Sequence, residues 1–125
     1  MPVIPVRTAS RHRLPGTSFT SLATPSRGCV DTAVWEVVIE AGTPPTPTHR
    51  VTREEVFVVL QGTVTAEIDG VTEVATVRDA IVIPADTDFW LSNSGTETVR
   101  MLCCLPVGGQ VCVTGEDLFT PPWAQ

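Results

Sequence analysis

The chain has two histidines, His12 and His49, and these are its only imidazoles for acid–base work near neutral pH. All eight basic residues are Arg and none is Lys, so neither a Schiff-base aldolase nor a covalent pyridoxal phosphate enzyme is expected. Tyr is absent, which removes the phenolic general acid. Cys29, Cys103, Cys104 and Cys112 form no CxxC pair, and no second His or Cys cluster completes a zinc site with them. Neighbours on a strand point to opposite faces, so Cys103 and Cys104 are badly placed to bridge each other. The four read as free thiols in a reducing cytosol, with Cys103 and Cys104 as the candidates for a reactive one. Chemistry must therefore come from an imidazole, a carboxylate and neighbouring amides.

The elements that position these groups are strands. Val and Thr together supply 37 of the 125 residues, and β-branched side chains favour a pleated, half-buried surface. Eleven Pro and nine Gly break the chain at short intervals, as many tight turns require. Residues 33–40 (AVWEVVIE) alternate Trp35, Val37 and Ile39 against Glu36, Val38 and Glu40, the period-2 pattern of a strand. Residues 42–48 (GTPPTPT) must be loop, because three Pro cannot serve a central ladder. Further strands are expected at 19–23, 55–60, 64–68, 71–77, 80–83, 89–93, 99–105 and 111–113, and Asp69-Gly70 is a strong hairpin signal. The tail TPPWAQ closes the chain. Length and pattern predict one all-β domain of eight or nine strands, a sandwich or jelly-roll β-barrel over 18–125, preceded by an N-terminal arm over 1–17.

Charge excludes one class of partner. The net charge is −6 and the pI about 4.7. A nucleic-acid surface needs a positive field, and only the short Arg11-His12-Arg13 run offers one, so no nucleic-acid partner is expected. No run of eighteen apolar residues occurs, so no membrane span is expected. The N-terminus lacks the charged and apolar regions of a secretory signal, and a cytoplasmic location is expected.

Two segments resemble the paired motifs of the cupin family. In the first, at 42–62, Gly42 is followed after six spacers by His49, and Glu55 precedes Gly62 by the family's six spacers. In the second, at 78–93, Arg78 stands at the first Gly of the motif. Pro84 and Asn93 keep their places, Asp86 replaces the turn Gly, and Phe89 replaces the His. Fifteen residues separate the motifs, as in compact bacterial cupins. The resemblance implies a jelly-roll barrel, a double-stranded β-helix. In metal-binding cupins three His and one Glu from these motifs hold a divalent transition metal. Carried over, His49 is the first His and Glu55 the carboxylate, while Val51 and Phe89 occupy the other two positions. His49 and Glu55 would be the ligands of any metal present, and they fall short of the two-His-one-carboxylate minimum for an open oxygenase site. No cofactor is expected, although Cys103, Asn93 or His12 from a swapped arm would be unconventional ligands.

Within such a barrel, period 2 sends Glu55, Phe57 and Val59 inward together with Phe89, Leu91 and Asn93. Trp35, Val37 and Ile39 follow, as do Met101 and Cys103. The expected interior is an apolar chamber with three polar points, His49, Glu55 and Asn93, the usual form of a small-molecule site. Trp35, Val51, Phe57, Phe89, Asn93 and Cys103 are the expected ligand contacts. His49 and Glu55 are the expected catalytic residues, coupled as one unit, with Asn93 polarising a carbonyl. Three functions are compatible with this site. One is a metal-independent isomerase, cyclase, lyase or decarboxylase acting on a small, apolar, oxygenated metabolite. The others are a metal-dependent oxygenase or lyase, and a ligand-binding cupin without chemistry. Val38, Val56, Val58 and Leu60 point away from the chamber and predict a homodimer, to which the arm could add a strand.

Overall fold

The structure is a computed structural model and describes residues 3–125. Eleven strands follow one another: β1 (Arg11–Leu14), β2 (Thr17–Ala23), β3 (Thr32–Ile39), β4 (His49–Val51), β5 (Glu55–Gln61), β6 (Val64–Ile68), β7 (Val71–Ala75), β8 (Ala80–Ile83), β9 (Phe89–Ser92), β10 (Val99–Pro106) and β11 (Val111–Val113). The six-stranded sheet runs β1-β2-β3-β10-β5-β8 and the five-stranded sheet β11-β4-β9-β6-β7. All the strand pairs are antiparallel. The only helical pieces among the described residues are 3-10 turns at Val6–Thr8, Pro25–Arg27 and Pro122–Ala124.

Alternation in the sequence becomes alternation in burial. On β3, Ala33, Trp35, Val37 and Ile39 are buried and the residues between them are not. On β10 the same holds for Val99, Met101, Cys103 and Leu105, with Arg100 outside. The register places Met101 against Val37 and Cys103 against Trp35, so the two apolar rows meet on one face. Each fully buried Val, Leu, Ile or Phe on that face contributes about 1.5–3 kcal/mol. Two sheets stacked on these faces make the core.

Turns follow their chemistry. Asp69 (φ 50°) and Gly70 (φ 80°) form a two-residue hairpin loop with both central residues left-handed, and Ile68 pairs with Val71 across it. Arg78 (φ 75°) and Asp86 (φ 57°) also sit in the left-handed region, at the positions where the family motif has glycine. The backbone has kept the turn while the residue changed. At Asp86 the short polar side chain tolerates that conformation, and its N–H donates to the Val51 carbonyl at 2.8 Å.

The strands are more numerous than expected. Residues 49–51, left between a loop and a strand, form β4, and β2 begins two residues before Phe19. The segment read as an arm contributes β1, which pairs with β2 of its own chain and forms the edge of the larger sheet. The tail does more than close the chain. Phe119 bridges back to Val111, and the Ser21 hydroxyl donates to the Trp123 carbonyl at 2.8 Å. This lays the C-terminus across β2.

Candidate functional site

Between the sheets lies a cavity of about 180 Å³. Its base is built from β5 and β3, where Glu55, Phe57, Trp35 and Val37 face the other sheet. β4 supplies His49 and Val51 from the opposite side. The outer wall comes from both ends of the chain: Leu14 and Phe19 on β1 and β2, then Phe119, Pro121 and Trp123. Phe19 and Trp123 are stacked, with ring centroids 3.7 Å apart and planes 6° from parallel. The lining is almost entirely apolar, and His49 and Glu55 are its only ionisable side chains among the described residues.

Glu55 is 5% exposed. Its Oε2 accepts a 3.1 Å hydrogen bond from the Cys103 thiol on β10. Oε1 has no partner among the described residues. Burial pushes the carboxyl up to about 7, and the thiol bond pulls it partway back. Burial likewise raises the Cys103 thiol well above its ordinary range, and the adjacent carboxylate raises it further. Cys103 is therefore a hydrogen-bond donor and not a reactive thiol.

His49 is half-buried on β4, opposite Phe89 of β9, with ring centroids 4.2 Å apart. Its Nδ1 lies 2.8 Å from the Pro47 carbonyl. A carbonyl only accepts, so Nδ1 carries the proton and Nε2 is left with its lone pair. Burial lowers the His49 pKa, an effect the Pro47 bond partly offsets. The ring is accordingly neutral at physiological pH.

Five of the expected site residues line the cavity together: Trp35, His49, Val51, Glu55 and Phe57. Three do not. Phe89 stands behind His49 and edge-on to Phe57. Cys103 reaches the site only through Glu55. Asn93 faces the backbone: its Nδ2 donates to the carbonyls of Ile39 (3.0 Å) and Glu97 (2.8 Å), and Oδ1 accepts from Gly95 N–H (3.2 Å). With its amide fully used it staples the 93–97 turn to β3 and cannot polarise a ligand carbonyl.

His49 and Glu55, expected to act as one unit, share no hydrogen bond or ion pair: the Pro47 carbonyl holds the His49 ring and the Cys103 thiol holds the Glu55 carboxyl. The wall from Phe119 to Trp123 was not anticipated. An aromatic in a Pro-rich tail was its one signal in the sequence, since the contact with Phe19 spans nearly the whole chain.

A resident metal does not fit these residues. Val51 and Phe89 bring no donor atom to the two vacant ligand positions, and both are 1% exposed. Glu55 is already bonded to a thiol, and Asn93 to the backbone. His12 lies on β1 beside Trp123, with ring centroids 6.5 Å apart. Among the described residues no group of three or more His, Cys, Asp or Glu could hold a metal ion.

Two stacked antiparallel sheets around a ligand-sized apolar cavity define a jelly-roll barrel. The family model described as "Cupin domain" matches residues 35–105, and the chain belongs to the cupin family. Solved structures agree on the fold. The polyketide cyclase RemF from Streptomyces resistomycificus is 22% identical, with a TM-score of 0.77, covering 94% of this chain and 87% of that one. A sugar phosphate isomerase of the cupin superfamily from Silicibacter pomeroyi is 16% identical, with a TM-score of 0.75, covering 93% and 83%. Salicylate 1,2-dioxygenase from Pseudoaminobacter salicylatoxidans is 18% identical, with a TM-score of 0.69, covering 82% of this chain but only 30% of that one. Among curated proteins, none matches the sequence. Among the described residues no helix is long and apolar enough to cross a membrane.

Proposed function

We propose that this cupin binds a small, apolar, oxygenated metabolite between its sheets and performs metal-independent acid–base chemistry on it, as an isomerase, cyclase, lyase or decarboxylase. The observation that carries the reading is the pairing of a cavity lined almost wholly by apolar groups with two ionisable side chains, each keeping one atom free of protein partners. A neutral His49 offers Nε2 as a base. A Glu55 carboxyl held near 7 keeps a large protonated fraction at neutral pH and offers Oε1 as an acid. When environments shift two titratable groups differently, they mark out the acid and the base.

On a ketone the step is enolisation. Nε2 of His49 removes the proton α to the carbonyl, the C–H electron pair forms the C=C bond, and the carbonyl oxygen takes the Glu55 proton. Reversal returns both protons. A base at the α-carbon and an acid at the neighbouring carbonyl oxygen of one ligand need no hydrogen bond to each other, and none joins His49 and Glu55. The missing bond also suits a second reading, ligand binding without chemistry. Incubating the protein with 1-indanone in D₂O and following loss of the α-proton signal by NMR distinguishes the two. Exchange well above the buffer rate supports catalysis, whereas binding with no added exchange leaves a ligand-binding cupin.

We further propose a cytoplasmic homodimer. The outer face of the larger sheet leaves Val38, Val56 and Val58 half-buried, with Leu60 44% and Val82 49% exposed. Light scattering should report twice the chain mass at micromolar concentration, and a clean monomer would refute the dimer.

A further inference from the structure

Resting on the reading of the cavity as the functional site, we infer that it selects an uncharged ligand of one or two rings with a single polar oxygen, and rejects anionic analogues of the same shape.

Size sets the first limit. An engineered apolar cavity of about 150 Å³ holds benzene. A cavity of about 180 Å³ therefore takes one substituted ring or a compact bicycle. The shape of the wall agrees. Trp35 and Phe57 stand on the strands of the base, and the parallel Phe19–Trp123 stack forms a flat slab in the outer wall. Aromatic faces favour a planar ring through offset or edge contacts.

Charge sets the second limit. No Arg lines the cavity, and the chain has no Lys. Three of the arginines are held outside in ion pairs, Arg13 with Glu40, Arg50 with Asp88 and Arg100 with Glu36. A carboxylate or phosphate entering the cavity would lose its water and meet no fixed cation, only the His49 ring, whose burial opposes its protonation, and the Glu55 carboxyl. Burying an unpaired charge in so apolar a cavity is strongly unfavourable. A ketone or hydroxyl on the same ring meets hydrogen-bonding groups it can use, Glu55 Oε1 and His49 Nε2. The site thus rejects sugar phosphates and aromatic acids by lacking a counter-charge, without needing any steric block.

The test uses three molecules of matched shape: 1-indanone (neutral), indane-1-carboxylate (anionic) and 1-aminoindane (cationic). Each is titrated at neutral pH into ¹⁵N-labelled protein while the three indole N–H signals are followed. Trp35 and Trp123 line the cavity and Trp90 does not, so Trp90 serves as the internal reference. The inference expects 1-indanone to shift Trp35 and Trp123 but not Trp90, and to bind at least ten-fold more tightly than either charged analogue. Binding of the carboxylate as tight as that of the ketone would overturn the selectivity while leaving the cavity reading intact. Tighter binding of the amine would overturn it too, making the site an aromatic cage for cations. If none of the three moves Trp35 or Trp123, the cavity reading itself fails, and this inference falls with it.

Discussion

Cys103 and Glu55 face each other across the adjacent strands β10 and β5, the thiol donating a 3.1 Å hydrogen bond to Oε2, and both side chains are buried. One carboxyl oxygen is thereby fixed by the protein, and the other has no partner among the described residues. The pair is also where the fold pays for its site, because an acid is held out of water with only a weak donor beside it.

That cost should be visible in stability. The folded-state pKa of Glu55, about 7, lies above its ordinary value of 4.5. The folded state therefore binds the Glu55 proton more tightly than the unfolded chain. Its stabilising contribution is complete below about pH 4.5 and is lost as pH rises through about 7, amounting to about 3 kcal/mol by linkage. Glu55→Gln should remove this slope, so that thermal melts at pH 8 show a higher Tm than the wild type. Cys103→Ala deletes the bond that lowers the carboxyl and should move the transition to higher pH. Parallel pH profiles for wild type and Glu55→Gln would contradict the assignment.

Asn93 carries the opposite expectation. Asn93→Ala leaves the Ile39 and Glu97 carbonyls without their donor and should cost roughly 3 kcal/mol in urea denaturation. Affinity for 1-indanone, measured under conditions where the variant stays folded, should change less than two-fold. A large loss of affinity with little loss of stability would restore Asn93 to the ligand site.

Metal loading tests the loss of the ligand set that the motif replacements imply. After dialysis against Fe²⁺, Mn²⁺, Ni²⁺ or Zn²⁺, elemental analysis should find well under one ion per chain, because Val51 and Phe89 stand where ligands would be. Stoichiometric metal that disappears in His49→Ala would reverse this.

How far the sequence foretold the site depends on the range of the interaction. Parity along a strand is local, so the inward rows Trp35-Val37-Ile39, Glu55-Phe57-Val59 and Met101-Cys103 could be read from alternation and all are buried. Motif spacing carried the family; that Arg78 and Asp86 adopt the left-handed conformation at positions where glycine is usual was visible only in the structure. Partners across strands were not legible. Cys103 meets Glu55 over a separation of 48 residues, and that register depends on how β10 is threaded between β3 and β5. Asn93 is buried, as its parity implies, but whether a buried amide serves a ligand or a backbone is settled by the loop after it. Trp123 reaches Phe19 only once both chain ends fold against the sheets.

The central claim is that His49 and Glu55 act as base and acid on one ligand. Its most direct test is the rate of α-proton exchange of 1-indanone in D₂O for wild type, His49→Ala, Glu55→Gln and the double variant. Each single change should slow exchange by about 10²-fold, the usual worth of a positioned acid or base, and the double variant should be little slower than either. Exchange that persists at the wild-type rate in both single variants would contradict the account.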